Sequence, residues 1–288
     1  MDFALSGFFE IFFISLSAIG HPFFWLLASA ALYWKGREKE SFFLLNAVVL
    51  TGIFVAVLKN FFMIPRPGIL GNGSLLGKLE NNFSFPFDKY SFPSGHAATI
   101  ASAYGFFREK LSKHAEFFFL ALILGVGYSR IFLERHYPVD VVAGILLGLV
   151  VGRVAWSFFS KWKPREKKLA MQEELGLVVA IFLLVAVFFL FESLSASAII
   201  IGYYLGLFLF KLQGHDNPAV GGRAWAKKAI AGFLGAFVVL SPLAFGFLPV
   251  FWGSFLLFLT GFWLSFLFPV AYEKALKNKT VKNIFNAN

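Results

Sequence analysis

The chain alternates between long apolar runs and short polar or charged segments. Nine runs are apolar enough to be membrane helices. The alternation of apolar and polar residues that marks a membrane β-barrel is absent. The pattern therefore predicts an all-α fold, a polytopic membrane helical bundle of about nine transmembrane helices. The predicted spans lie near 17–34, 41–62, 94–108, 114–133, 138–159, 174–192, 195–211, 228–246 and 250–272.

Two segments outside these runs bear on the fold. Residues 1–16 are apolar and predict an interfacial helix or the outer part of the first span, and Gly20, His21 and Pro22 predict a kink or a helix start. Residues 64–92 are rich in Gly, Asn, Pro and Phe without periodicity, so we expect a long loop there. The first ten residues lack a basic stretch, and we expect no cleaved signal peptide.

Composition narrows the class of protein. Hydrophobic residues make up 58% of the chain and charged residues 15%, which is too apolar for a soluble globular protein of this length. There is no cysteine, which excludes disulfides, thiolate metal sites and a cysteine nucleophile. The net charge of +10 does not indicate a nucleic-acid partner, because the cations cluster in loops between apolar runs, as membrane topology requires.

The loop charges predict an orientation. In the nine-span arrangement, most Lys and Arg residues fall on one face, in segments 35–40, 108–114, 161–168 and 211–228 and in the tail from residue 273. Such a face is cytoplasmic by the positive-inside rule. We therefore expect the N-terminus outside, the C-terminus in the cytoplasm and a multi-pass protein of the cell membrane. The opposite face carries only Lys59, Arg66, Lys78, Lys89, Arg130 and Arg135.

Three polar clusters lie on that extracytoplasmic face, at the ends of apolar runs. The first spans residues 59–67 and contains Lys59 and Arg66, the latter between Pro65 and Pro67. Two cations near one interface can clamp an anion, with Arg donating two parallel hydrogen bonds and Lys acting as a point charge. Taken alone, the same residues also fit two side chains that reach for lipid headgroups.

The second cluster is Pro93-Ser94-Gly95-His96, which opens a predicted span. Ser94 is predicted to be the N-cap, Gly95 lets backbone N–H groups approach a ligand, and His96 falls in the first helical turn. A helix N-terminus is a common anion site. An ordinary interfacial histidine is an equally good interpretation of this cluster alone.

The third cluster runs from Ser129 to Asp140 and contains Arg130, His136 and Pro138. Pro138 suits the first turn of a helix, and in that helix Asp140 can reach the His136 imidazole. A carboxylate that fixes the tautomer leaves the other ring nitrogen free to attack a substrate. A structural His–Asp pair at a tight turn between two helices fits the cluster alone just as well.

Together the clusters read K-x6-RP, PSGH and SR-x5-H-x3-D, and over these residues the chain strongly resembles the type 2 phosphatidic acid phosphatase superfamily. The resemblance implies a metal-independent membrane phosphatase with a phosphohistidine intermediate and no cofactor. On this sequence it implies His136 as the nucleophile, Asp140 as the residue that orients it and His96 as the general acid. It also implies a phosphate site formed by Lys59, Arg66, Ser94, Gly95 and Arg130.

The resemblance covers about residues 17–160, so we expect a phosphatase core over 1–168 and a C-terminal extension of four helices over 169–288. The nine-span layout resembles the glucose-6-phosphatase and sphingosine-phosphate phosphatase branches. The expected substrate is a membrane lipid phosphate monoester or diphosphate, such as an isoprenyl diphosphate, phosphatidylglycerophosphate or phosphatidate. A water-soluble sugar phosphate, lipid phosphotransfer and anion transport remain open alternatives. Arg135, His21, His114 and His215 match no motif, and Arg135 is predicted to reach for the lipid surface.

Overall fold

The computed structural model describes residues 3–67, 90–162, 194–215, 217, 220–245 and 249–277. Within these ranges every regular element is helical. The α-helices are α1 Phe3–Gly20, α2 Pro22–Trp34, α3 Glu38–Phe62, α4 Gly95–Phe107, α5 Lys113–Phe132, α6 Pro138–Lys161, α7 Leu194–Leu212, α8 Gly222–Leu240, α9 Val250–Phe262 and α10 Phe268–Lys277. Short 3-10 turns cover Arg108–Lys110 and Ser241–Phe245, and a π-helical turn over Trp263–Leu267 joins α9 to α10.

The predicted all-α class is confirmed, and eight of the nine predicted runs are helical. The remaining predicted run, 174–192, and most of the predicted loop 64–92 lie outside the described residues. In the part of the chain that the structure describes, five helices are long and apolar enough to cross a membrane, or six when α1 and α2 are counted as one span bent by 54°. The predicted break at Gly20, His21 and Pro22 is therefore present. The total of nine membrane spans stays a prediction.

Two predicted runs differ in detail from the helices that form. Helix α4 has 13 residues, which at 1.5 Å per residue is about 20 Å and shorter than a bilayer core of about 30 Å. Helix α8 begins at Gly222, six residues before the predicted start, because Arg, Ala and Lys in this segment are good helix formers. Lys228, predicted at the edge of a loop, is consequently buried, and its Nζ donates to the Trp34 carbonyl and to Asn217 Oδ1.

The described residues divide into two compact units, residues 1–29 with 42–162 and residues 30–41 with 163–288. In the second unit α7 packs closely on α9, since a Cβ on Gly202 or Gly261 would overlap a backbone carbonyl of the other helix. The Trp34 indole N–H also donates to the Leu264 carbonyl in the π-helical turn, over 2.9 Å. These contacts stabilise a tightly packed helical unit.

In the first unit α4 packs directly on α6. Gly144, Gly148 and Gly152 of α6 recur every four residues and face the backbone of Ser94, Ala98 and Ser102. A Cβ on any of these glycines would overlap a carbonyl oxygen of that backbone. Small residues let two membrane helices approach closely. The packing places the first turn of α4 beside the first turn of α6, and each of these turns carries a predicted site histidine or its partner.

Candidate active site

The three polar clusters come together at one end of helices α3 to α6. Lys59 is in the last turn of α3, Ser94 to His96 begin α4, Arg130 is in the last turn of α5, and Asp140 is in the first turn of α6. The Ser94 N–H donates to the Asp140 carbonyl over 2.9 Å, which ties the second cluster to the third. Arg130, Lys59 and Arg66 are all close enough to act electrostatically on His136.

His136 and Asp140 form a buried pair. The His136 Nδ1 lies 3.6 Å from the Asp140 Oδ2, and the two side chains are 2% and 0% exposed. The same Asp140 Oδ2 accepts the Tyr137 N–H over 2.8 Å, which fixes the carboxylate at the start of α6. With Nδ1 turned to the carboxylate, Nε2 is the nitrogen left to face a ligand. The reach from Asp140 to the imidazole that the sequence predicted is therefore present.

The turn between α5 and α6 positions His136. The Arg130 carbonyl accepts the N–H groups of both Arg135 and His136, over 3.0 and 3.2 Å. Glu134 has a φ of +53°, a left-handed conformation that few non-glycine residues adopt, and it reverses the chain within five residues. Pro138 then starts α6, as predicted. The turn thus holds His136 between the end of α5 and the start of α6.

The start of α4 contributes Ser94, Gly95 and His96. Ser94 occupies the N-cap position, as predicted, but its side chain makes no capping hydrogen bond. Across the described ranges, the buried Ser94 Oγ has no hydrogen-bond partner at all. The first helical bond runs from the Ala98 N–H to the Ser94 carbonyl, so the N–H groups of residues 95–97 are not used within the helix. Unused donors beside a buried hydroxyl suit an anion.

Arg130, Arg66 and Lys59 act on His136 from three separate segments. Arg130 is 3% exposed and its guanidinium donates to the Ser17 Oγ of α1 over 2.6 Å. The Arg66 guanidinium donates to the Arg135 carbonyl over 3.4 Å. Lys59 acts on both His96 and His136. Three cations near His136, two of which also act on His96, can together bind a phosphate group.

The electrostatics keep His136 neutral. Burial is the largest cause and lowers the pKa of His136 well below its usual value, and Arg130, Lys59 and Arg66 lower it further. The neighbouring Asp140 carboxylate opposes this but is smaller in effect than burial. A neutral imidazole has the free electron pair that a nucleophile needs.

Sequence reasoning missed the contribution of the N-terminal helices. Ser17 accepts from Arg130, and the His21 and His96 ring centroids lie 5.4 Å apart. A single serine in an apolar helix carries no motif, and the histidine was interpreted only as part of the helix break. Arg135 also differs from the prediction, because its side chain is half-buried beside Arg66, and burial with this second cation lowers the pKa of Arg135 to about 10.

Comparisons with known proteins find a family and several relatives that resemble this chain. Residues 40–164, which include every predicted site residue, match the PAP2 superfamily. A lipid A 4′-phosphatase of Porphyromonas gingivalis is 27% identical over 52% of this chain and 74% of its own length. A dihydrosphingosine 1-phosphate phosphatase of Schizosaccharomyces pombe is 23% identical over 72% of this chain and 55% of its own length.

An undecaprenyl-diphosphatase of Sulfolobus acidocaldarius is 32% identical over 47% of this chain and 63% of its own length. The chain thus spans about three quarters of the first of these relatives and between half and two thirds of the other two. No solved structure matches the chain. The relatives agree on removal of a phosphate group and differ in the molecule that carries it.

Proposed function

We propose that this chain, whose residues 40–164 match the PAP2 superfamily, is an integral-membrane phosphatase of lipid phosphate monoesters or diphosphates. The observation that carries the proposal is the buried pair of His136 and Asp140, with Nδ1 and Oδ2 3.6 Å apart, beside three cations. A histidine oriented by a carboxylate is a nucleophile, and the cations stabilise the charge on the phosphoryl oxygens.

In the first step the His136 Nε2 attacks phosphorus. The bond from nitrogen to phosphorus forms and the bond from phosphorus to the leaving-group oxygen breaks. That oxygen takes a proton from the His96 imidazolium, which the bound phosphate anion stabilises, so the lipid alcohol or lipid phosphate leaves in its protonated form. In the second step His96 accepts a proton from a water molecule, whose oxygen displaces Nε2 from phosphorus. Inorganic phosphate is released and both histidines return to their first state.

The phosphate group is held by Lys59, Arg66 and Arg130 together with Ser94 and the N–H groups that begin α4. The buried Ser94 Oγ and the unused helical N–H groups support this role. The cations match the negative charge on the transferred phosphoryl group, which is the part that a metal ion plays in other phosphoryl-transfer enzymes. We therefore propose that the reaction needs no metal ion.

The substrate enters from the bilayer. The site lies where α3 and α5 end and where α4 and α6 begin, which supports a location at one membrane surface. There a lipid headgroup can reach the histidines while its chains stay among the helices. We further propose the orientation that the loop charges favour, with nine spans, the site on the extracytoplasmic side of the cell membrane and the C-terminus in the cytoplasm. Three curated relatives whose names specify lipid phosphates or a diphosphate support the substrate class.

The test is release of inorganic phosphate by the purified protein in detergent with a metal chelator present. The substrates are undecaprenyl diphosphate, phosphatidylglycerophosphate, phosphatidate, sphingosine 1-phosphate and glucose 6-phosphate. We expect release from at least one lipid and little from the sugar phosphate. His136→Ala should abolish release, whereas His114→Ala, an exposed histidine in the first turn of α5, should not.

Three outcomes contradict the proposal. If the protein hydrolyses glucose 6-phosphate in preference to the lipids, its substrate is a water-soluble phosphate. Transfer of the phosphate to an added acceptor lipid, with little release of inorganic phosphate, indicates a phosphotransferase. Unchanged phosphate release by His136→Ala contradicts the covalent mechanism. If phosphate also crosses the membrane of sealed vesicles that contain the protein, anion transport is favoured.

A further inference from the structure

The break between α1 and α2 lies against the candidate active site. The two helices bend by 54° around Gly20, His21 and Pro22. A Cβ on Gly20 would lie 3.0 Å from both the Cβ and the carbonyl oxygen of His96, and 2.6 Å from a Val126 methyl group. The break therefore packs on the backbone of the residue proposed as general acid. It also lies outside residues 40–164, the segment that matches the family.

His21 extends this contact to the side chains. Its ring centroid lies 5.4 Å from that of His96, and the ring planes meet at 69°, an edge-to-face arrangement. Such pairs have a preferred geometry and restrict the orientation of both rings. Since a general acid must lie within hydrogen-bond reach of the leaving-group oxygen, the orientation of the His96 ring matters directly for proton transfer.

The orientation of His21 is itself fixed. The His21 Nδ1 accepts the Phe23 N–H over 3.1 Å, so the imidazole caps the N-terminus of α2. In the neutral ring this acceptor role places the proton on Nε2. A ring held by the backbone of one helix is a rigid support for a ring on another helix.

We propose that His21 is a positioning residue for His96 and holds the His96 ring in the orientation from which it donates a proton to the leaving group. The inference rests on the proposed function, in which His96 is the general acid. It assigns the N-terminal helix pair a part in the reaction that the matched family segment does not contain.

The contribution of a general acid depends on the leaving group. p-Nitrophenolate is a stable anion and departs without a proton, whereas the alkoxide of benzyl alcohol does not. Loss of a well-positioned acid therefore slows benzyl phosphate much more than p-nitrophenyl phosphate, although the two rings are similar in size. A change that merely loosens the protein slows both.

The informative variant is His21→Asn, because an Asn side chain can still accept the Phe23 N–H as an N-cap but has no ring. We expect kcat/KM for benzyl phosphate, which reports the first step only, to fall about tenfold, part of the 10²–10⁴-fold that general acid catalysis supplies. The kcat/KM for p-nitrophenyl phosphate should stay within about twofold, and the thermal midpoint should be unchanged. His114→Asn, an exposed change of the same type, should alter neither rate.

His96→Ala separates the two possible failures. If His96→Ala lowers kcat/KM equally for both substrates, the general acid of the proposed function is wrong and the inference is overturned with it. If His96→Ala lowers kcat/KM selectively for benzyl phosphate but His21→Asn leaves the ratio of the two kcat/KM values at the wild-type value, the proposed function stands and His21 is only a helix cap. An equal loss of kcat/KM for both substrates in His21→Asn also overturns the inference.

Discussion

Ser17 shows how one residue of an apolar helix can serve a distant site. It lies 113 residues before Arg130 in the chain, yet its Oγ accepts a 2.6 Å hydrogen bond from that guanidinium. Both side chains are buried, at 5% and 3% exposure. An arginine in such surroundings needs acceptors to hold its fork in one orientation. We infer that Ser17 aims Arg130 at the bound phosphate.

Ser17→Ala should therefore weaken both the fold and the handling of substrate. Loss of this acceptor for a buried charged donor costs about 1–3 kcal/mol, so we expect a lower thermal midpoint and a kcat/KM reduced about tenfold. Ser15→Ala is the matched control on the same helix, because Ser15 is exposed and its hydroxyl donates to the Ile11 carbonyl. If both variants retain wild-type kcat/KM, Ser17 has no part in orienting Arg130.

At the scale of single residues, the sequence predicted those site residues whose spacing forms a motif. His136, Asp140 and the start of α4 lie together as their spacing suggested. Ser17 and His21 could not be predicted, because their partners lie far away in the chain and depend on how α1 packs against α4 and α5. Tertiary packing brings these two residues to the site, and no local sequence pattern indicates it.

Among the elements, the α4–α6 pair determines the distance between the two proposed catalytic histidines. Gly144, Gly148 and Gly152 allow α6 to approach the α4 backbone, and the same pair carries His96 at the start of one helix and Asp140 at the start of the other. Any side chain at these glycines has to separate the helices. A shift of about 1 Å in catalytic geometry can reduce rates about 10²-fold.

Gly148→Leu tests this packing. The side chain would collide with the Ala98 carbonyl, so we expect overpacking to cost about 1–3 kcal/mol or more and phosphate release to be largely lost. Val150→Leu adds one methylene at an exposed position of the same helix and should leave the thermal midpoint and activity near wild type. Normal activity of Gly148→Leu would mean that the close approach of α4 and α6 is not required for the site.

Element prediction worked where the signal was local. Long apolar runs marked the helices, and Gly20 with Pro22 marked the break before α2. The short length of α4 and the early start of α8 were not predicted, since apolarity alone does not fix where a helix ends. The repeat of glycines in α6 and the small residues of α4 were visible in the sequence and could have predicted their close packing.

For the whole molecule, the distribution of charge links the site to one side of the membrane. Helices α4, α5 and α6 present the candidate site at one end. At their other ends lie Arg108, Lys110, Lys113 and Lys161. Cations concentrate on the cytoplasmic side of membrane proteins. Because Lys59, Arg66, Arg130 and Arg135 lie at the site end of the same unit, the proposed orientation rests on the charges of all the loops in the nine-span arrangement.

Because the chain contains no cysteine, single cysteines can report this orientation directly. Glu134, at the site end, and Lys113, at the opposite end, are both exposed. In intact cells, a membrane-impermeant maleimide should label Glu134→Cys, whereas Lys113→Cys should react only after the membrane is permeabilised. The unmodified chain is the control for background, and phosphate release by each variant verifies its fold. The reverse labelling pattern would place the site in the cytoplasm and require a substrate from the inner leaflet.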